Sequence, residues 1–575
     1  MNLLISAGLL ALLGSFSSLV VAQQAAAVAY APKFTLCPPN TSLIRSAGTS
    51  KQSLSPSESS YISARKSQVL PSAWSSYLKN VKQAAKSNNI ALPAYVSAIL
   101  SQPTTFPNLG IATSGGGYRA AIFGAGVLNA LDGRNLTSSG VGTGGLLQAA
   151  SYLSGLSGGS WLLGSLIQAD FPPLLDLIFG TSSGLGGWNA QVDLLQISTD
   201  PNVIAQFVGL LVQESAGKFL TGFPVTFTDI WARTLSRHFV TGTTAANFFD
   251  TNLTHGAGVT LSSITQLPTF AQHAQPFPII VANSLTATDT EFPPLMNPIF
   301  EFTPFEFGSF DPQLSAFTPT QFLGSPNNSL CVTNMDQLGF VEGISSNLFS
   351  AFNTSETDLL NSNIGPIISA LQSNFGQKNI RLDSSQIPNP FFGLSKGSFV
   401  DSDQTLLTLV DGGLDGEVIP LQPLLVKARK VDTIIAIDAS ADTLDNFAAG
   451  ASVVASSQRA ALFPKSYSFP PVPASNTSFL SQNLTTRPTF FGCNTRTTDD
   501  APLLIYIANG GAPLGQTPVT NTTTLQTTYP AAEIQQMVEQ TFDIATQGIS
   551  TIKNGVASKE KTRDCEEWGV QELFG

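Results

Sequence analysis

The chain predicts an α/β fold in which helices flank a central sheet that is mixed but mostly parallel. Three stretches carry that expectation. Leu109-Gly110-Ile111-Ala112-Thr113 is a short apolar run that leads into the triplet Gly115, Gly116, Gly117, and helical apolar spacing follows through Leu131. The same plan recurs in "GLLQAASYLSGLSGGSWLLGSLIQ", where an apolar run reaches Leu156, turns at Ser157 and continues as another apolar segment. It returns in "LLTLVDGGLDGEVIPLQPLLVKARKVDTIIAIDAS": a β-rich run, a glycine turn, a helix-like run, then "VDTIIAIDAS" as a second buried strand. Parallel neighbours need a crossover connection, which strand-like runs alternating with helix-like runs provide.

The remaining chain falls into place around these units. "MNLLISAGLLALLGSFSSLVVAQQ" opens on small and apolar residues and reaches Val20-Val21-Ala22, a small-x-small cleavage signature, so residues 1–22 read as a signal peptide, with a signal anchor as the alternative. Residues 23–100 are Ser/Ala/Pro-rich with a helical piece around "SAWSSYLKNVKQAAKSNN" and read as an N-terminal arm packing on the body. Residues 101–575 form the main domain. Within it, 170–400 is rich in Phe, Pro, Asn and Thr and weakly periodic, as in "FPPLMNPIFEFTPFEFGSFDP", and reads as an irregular insertion with short helices, either a lid or a packed subdomain.

Composition narrows the classes. Hydrophobic residues make up 42% and charged residues 11%, well under the usual ~25% charged. The net charge of -11 argues against a nucleic-acid partner or a basic patch that steers to anionic surfaces, and favours an uncharged or zwitterionic substrate. Eight Asn-x-Ser/Thr sequons, at Asn40, Asn135, Asn252, Asn327, Asn353, Asn476, Asn483 and Asn521, favour a glycosylated secretory protein. Four cysteines, Cys37, Cys331, Cys493 and Cys565, suggest two disulfides in an oxidising compartment, with three pairings open. They lack metal-site spacing, so no metal is expected. Beyond the signal region no run reaches the ~18 apolar residues of a spanning helix, and the tail "EEWGVQELFG" is no lipid-anchor signal. A secreted, extracellular protein is expected, with cell-wall association as a variant of it.

Gly155-Leu156-Ser157-Gly158-Gly159 spells the nucleophile elbow G-x-S-x-G. The pattern usually brings a Ser-His-Asp triad, yet the chain has only three histidines, His238, His255 and His273; Asp170 to Asp229 could precede one of them in the usual order Ser, acid, His, but their settings are unremarkable and no histidine follows His273. "TLVDGGLDGEVIP" offers a different base. Asp411 ends a strand, where open α/β sheets collect their site residues, and could take the serine proton directly; the bland alternative is an Asx turn. Asp415, in a second Asp-Gly with no apolar strand before it, is the internal control. In "SGGGYRA" the glycines let backbone amides approach a substrate oxygen, and Arg119 adds a fixed cation suited to a phosphate. Neither G-x-G-x-x-G nor a P-loop is formed, so a nucleotide site is not indicated.

"SGGGYRA", "GLSGGSW" and "LVDGGLDGEVIPLQPLL", in that order with a long insertion before the third, resemble the fungal phospholipase B / lysophospholipase family, itself related to cytosolic phospholipase A and patatins. "CVTNMDQLGFVEGISSNLFS", "IPNPFFG", "VDTIIAIDASADT" and "PLLIYIANG" are similar to it as well, so the likeness spans about residues 35–570. The resemblance implies a three-layer patatin-like catalytic domain. It also implies a Ser157/Asp411 dyad with Arg119 as catalytic arginine, Gly116 and Gly117 as oxyanion-hole donors, and no histidine or cofactor. Its substrates would be phospholipids and lysophospholipids at a membrane or micelle surface. Leu414 departs from the charged residue often found there, and nothing resembles the calcium-binding membrane module of the cytosolic relatives. A patatin-like neutral-lipid esterase, or a silent glycosylated lipid-binding wall protein, are the alternative readings.

Overall fold

Short apolar runs bounded by glycine and proline become strands, and the longer runs between them become helices. The computed structural model describes residues 25–89, 106–286, 289, 292–325, 330–352, 365–377, 380–493, 500–513 and 515–546. The expected signal peptide, Asn327, Asn353 and Cys565 lie outside the described residues.

In chain order the strands are β1 (Lys33–Leu36), β2 (Arg45–Ser46), β3 (Leu109–Thr113), β4 (Ala150–Gly155), β5 (Phe277–Ser284), β6 (Ile299–Phe302), β7 (Glu306–Ser309), β8 (Ala316–Pro319), β9 (Leu330–Thr333), β10 (Ser385–Pro388), β11 (Leu406–Asp411), β12 (Thr433–Asp438), β13 (Thr489–Phe491) and β14 (Leu503–Ala508). All except β1 and β9 form one twelve-stranded sheet in the order β13-β14-β12-β3-β4-β5-β6-β7-β8-β2, with β11 on β5 and β10 on β11. The run β14-β12-β3-β4-β5 is parallel, and its strands are apolar because helices cover them. The pairs beyond β5 and at β13 are antiparallel. β1 and β9 pair separately, and the Cys37–Cys331 disulfide fastens them.

The main helices are α1 (Pro56–Gln68), α2 (Leu70–Ser87), α3 (Gly117–Leu131), α4 (Gly158–Gln168), α5 (Pro201–Leu220), α6 (Phe227–Phe239), α7 (Leu338–Ser345) and α8 (Ala531–Thr546). Every residue of α3 and α4 is buried. α3 packs on α4 and on α8, and the closest approach needs Gly126, where a Cβ would lie 2.7 Å from Thr541 Cβ. The arm is tied down by buried polar contacts: Arg65 donates to the carbonyls of Ala150, Gln148 and His273, and Glu58 pairs with Arg429, which also holds Glu301. Among the described residues α5 alone has the length and apolar composition of a membrane-crossing helix. It carries Glu214, buried against Arg233 and Arg237, and Lys218, buried against Asp229, as a core helix does.

Two expectations are corrected here. The segment 170–400, expected as an inserted lid or subdomain, supplies β5 to β8 and β10 to the one sheet and is part of the body. Its strands escape pattern reading because β5 is buried at all eight positions and shows no alternation. The helix-like run after Asp411 is no α-helix but two short 3-10 turns, Gln422–Leu425 and Lys427–Arg429. Pro420 and Pro423 bring no amide hydrogen to a helical ladder there.

Candidate active site

β5 is longer than either strand that meets its inner edge. β4 occupies the first half, with Gly155 opposite Ile280, and β11 occupies the second half in the opposite direction, with Asp411 opposite Ala282. β6 takes the other edge of the same residues, so β4 and β11 share one edge and point their carboxyl ends at each other. Two positions along a strand span about 7 Å. The two residues singled out in sequence, far apart in the chain, are thereby brought together, with the Ser157 hydroxyl near enough to the Asp411 carboxyl to favour its charged form.

Ser157 sits at φ 50°, ψ -127°, between β4 and the first residue of α4. A non-glycine residue in that region is strained, and packing against close backbone holds it. A Cβ on Gly158 would lie 2.0 Å from the Gly117 carbonyl oxygen, and one on Gly159 would lie 2.3 Å from that of Thr113. The elbow glycines are therefore required by contact with the glycine triplet and with β3. As the residue that caps α4, Ser157 stands at the positive end of that helix.

Asp411 is buried, and loss of hydration pushes its pKa up to about 6, against the Gly413 amide and the Ser157 hydroxyl, which favour the carboxylate; the charge of Asp415 adds to the rise. The Gly413 N–H donates to Asp411 Oδ1 at 2.8 Å. Gly412 has no room for a side chain, since a Cβ there would lie 2.7 Å from the Val281 carbonyl oxygen. Asp415, the internal control, is more than a turn residue. Its carboxylate is buried 4.0 Å from Arg459, beside Glu417 at 3.4 Å from the same guanidinium.

The glycine triplet lies against the elbow: a Cβ on Gly115 would come within 2.9 Å of Ser157 Cβ. Gly116 and Gly117 have φ of 129° and 64°, conformations that glycine tolerates, and their amides have no acceptor among the described residues. Arg119 departs from the expected phosphate grip. Its buried side chain donates from Nε to the Ala439 carbonyl at 2.9 Å, from Nη1 to the Thr522 carbonyl at 2.6 Å and from Nη2 to Thr524 Oγ1 at 3.0 Å. A buried cation must be hydrogen-bonded, and here two carbonyls and a hydroxyl do it. Burial lowers its pKa to about 10, so it stays charged at neutral pH.

The histidines are engaged elsewhere. His238 contacts the carbonyls of Thr234 and Val192, and burial lowers it to about 4. His255 contacts Thr243 and the Asp250 carbonyl, and His273 lies against Tyr61. Cys493 is disulfide-bonded. Asn40, Asn252 and Asn476 are exposed, and Asn135, Asn483 and Asn521 are half-buried, so none of these six sequons is enclosed. The α7 carboxyl end had no role in the sequence reading beyond its resemblance. In the structure the Ser345 carbonyl accepts from the amides of both Ser157 and Gly412, and the Asn347 carbonyl accepts from that of Asp411.

The fold is of the patatin-like α/β kind, a mixed, mostly parallel sheet flanked by helices. Human GIVD cytosolic phospholipase A2 shares the fold, with a TM-score of 0.59 over 90% of this chain and 68% of that one at 18% identity. The family model described as lysophospholipase catalytic domain matches residues 109–571. Lysophospholipase 1 of Aspergillus fumigatus is 34% identical over 91% of this chain and 81% of its own length. The lysophospholipase of Penicillium chrysogenum is 34% identical over 94% and 87%, and lysophospholipase 2 of Saccharomyces cerevisiae is 33% identical over 91% and 73%. The chain belongs to the lysophospholipase family, and it is an enzyme of that type, a carboxylic ester hydrolase.

Proposed function

We propose that the chain is a secreted phospholipase B that cleaves fatty-acyl esters of lysophospholipids and phospholipids through a Ser157/Asp411 dyad and an acyl-enzyme. As Ser157 Oγ attacks the acyl carbonyl carbon, Asp411 takes the hydroxyl proton, and the amides of Gly116 and Gly117 receive the oxyanion. The tetrahedral adduct collapses, the ester C–O bond breaks, and Asp411 returns the proton to the leaving alkoxide. Water then attacks the acyl-enzyme, giving its proton to Asp411, and the fatty acid leaves as Ser157 regains its hydrogen. A lysophospholipid hydroxyl in place of water gives transacylation. Arg119 contributes its positive charge beside Gly116, where a Cβ would lie 2.6 Å from Nη2, and holds the Thr522 carbonyl and the Thr524 hydroxyl next to the glycine triplet.

The observation that carries this reading is the meeting of Ser157 and the buried Asp411 at the facing ends of β4 and β11, with His238 and His255 bonded elsewhere and His273 packed on Tyr61. Secretion and glycosylation draw support from the opening apolar segment, the Cys37–Cys331 disulfide and the accessible sequons. The test offers the purified chain lysophosphatidylcholine, phosphatidylcholine and triacylglycerol in parallel. Fatty acid is expected from the first two and is expected to vanish in Ser157→Ala. Preference for triacylglycerol, or retained turnover in that variant, would reject the reading.

A further inference from the structure

Where β4 and β11 part on the edge of β5, one backbone group is left over. Ile280 is the last residue opposite β4 and Ala282 the last opposite β11, which leaves Val281 between them, its carbonyl facing the gap beside Gly412. A buried carbonyl without a donor is costly, and the donor here comes from outside the sheet. Ser345 Oγ, fully buried, donates to the Val281 carbonyl at 2.6 Å. The same residue faces both halves of the dyad. The Ser157 amide donates to the Ser345 carbonyl at 3.0 Å and to Ser345 Oγ at 3.1 Å, and the Gly412 amide donates to that carbonyl at 3.1 Å.

We propose that Ser345 is a positioning residue of the hydrolysis: it fills the gap between the two strands and sets the separation of Ser157 from Asp411. The proposal rests on the dyad reading above. Helix α7 makes the placement rigid, since it packs on β5, β11, α4 and α6 at once. Trp161 of α4 and Trp231 of α6 each donate an indole N–H to Ser346 Oγ, at 3.0 and 2.9 Å, which fixes the helix end on both sides. Loss of the Ser345 hydroxyl frees the Val281 carbonyl and removes one of the two acceptors of the strained Ser157 amide. The elbow then relaxes away from Asp411, and attack geometry is degraded while the substrate surface is untouched.

The test compares Ser345→Ala and Ser345→Cys with wild type and with Ser215→Ala. Ser215 is an equally buried serine whose hydroxyl bonds the Leu211 carbonyl in α5. Active sites are counted with a fluorophosphonate, then kcat, KM and the pH profile are measured on lysophosphatidylcholine. Ser345→Ala should lose about tenfold or more in kcat per counted site with KM within about twofold, as small misplacements of reacting groups do. Its acid limb should move to higher pH, because the Ser157 hydroxyl, which favours the ionised aspartate, is drawn away from it. Ser345→Cys, nearly the same size with a weaker donor, should fall between, and Ser215→Ala should keep wild-type kcat and limb. Unchanged kcat per site, an unmoved acid limb, or failure of both Ser345 variants to fold would overturn the proposal. If wild type takes up no fluorophosphonate at Ser157, the dyad reading itself fails.

Discussion

Replacing Asp411 by asparagine should abolish turnover and make the protein more stable at neutral pH. The carboxylate is forced into a site that disfavours its charge, with a pKa pushed from 3.8 to about 6 chiefly by burial. That shift corresponds to about 3 kcal/mol of destabilisation once the group is ionised in both states. The folded-state value lies above the unfolded one, so the penalty is absent below pH 3.8, grows as pH rises through about 6 and is constant above. Asparagine carries no charge to desolvate but bonds the Gly413 amide less well, a loss of about 1 kcal/mol. A net gain of about 2 kcal/mol remains at pH 7, which in a chain of this size is a Tm rise of about 1–2 °C. At pH 4 the gain should be gone. Scanning calorimetry of both proteins at pH 4, 5.5 and 7 measures it. A lower Tm for Asp411→Asn at pH 7, or a difference that ignores pH, would show that Asp411 is not held against its hydration. The same pKa places the acid limb of wild-type kcat/KM near pH 6, with about one-tenth of the sites ionised a unit below it.

Other substitutions read other parts of the site. Gly158→Ala should remove fluorophosphonate labelling and most activity, because its Cβ would meet the Gly117 carbonyl oxygen at 2.0 Å and the elbow would have to open. Arg119→Lys should weaken activity and raise proteolytic cutting around Thr522 to Thr524, since one ammonium cannot satisfy three acceptors fanned over a guanidinium; unchanged cutting would count against its role as a pin. His238→Gln should retain kcat. Relative to this variant, wild type should lose stability as pH falls from 6.5 toward 4, because the buried imidazole resists the proton that the unfolded chain accepts; a difference that ignores pH would count against it.

Sequence revealed the parts of this protein that glycine punctuates. β3 with α3 and β4 with α4 stand where an apolar run, a glycine turn and a helical run say they should. β12 is as expected, flanked by two parallel neighbours. β5 was missed for the opposite reason: buried on both faces and followed by short strands, it has neither alternation nor turn spacing to announce it. Ser157 and Asp411 were legible because each lies at a strand end beside glycines. Ser345 was not, because much of its part is played by a backbone carbonyl at a helix end, and no residue type encodes that. Arg119 was found by its charge, but its partners, Ala439, Thr522 and Thr524, are fixed by folding of a distant part of the chain.

The shared edge of β5 acts as a ruler for the site. Because Gly155 and Asp411 are registered at Ile280 and Ala282, the exposed loops of the connection between them can lengthen or shorten without altering the spacing of Ser157 and Asp411. One extra residue in β5 between those two marks would instead turn Asp411 to the opposite face of the sheet. Insertions in the exposed loops between the two groups should therefore leave their spacing unchanged, whereas one in the three-residue interval Ile280 to Ala282, which lies in neither of the motifs that carry them, should not.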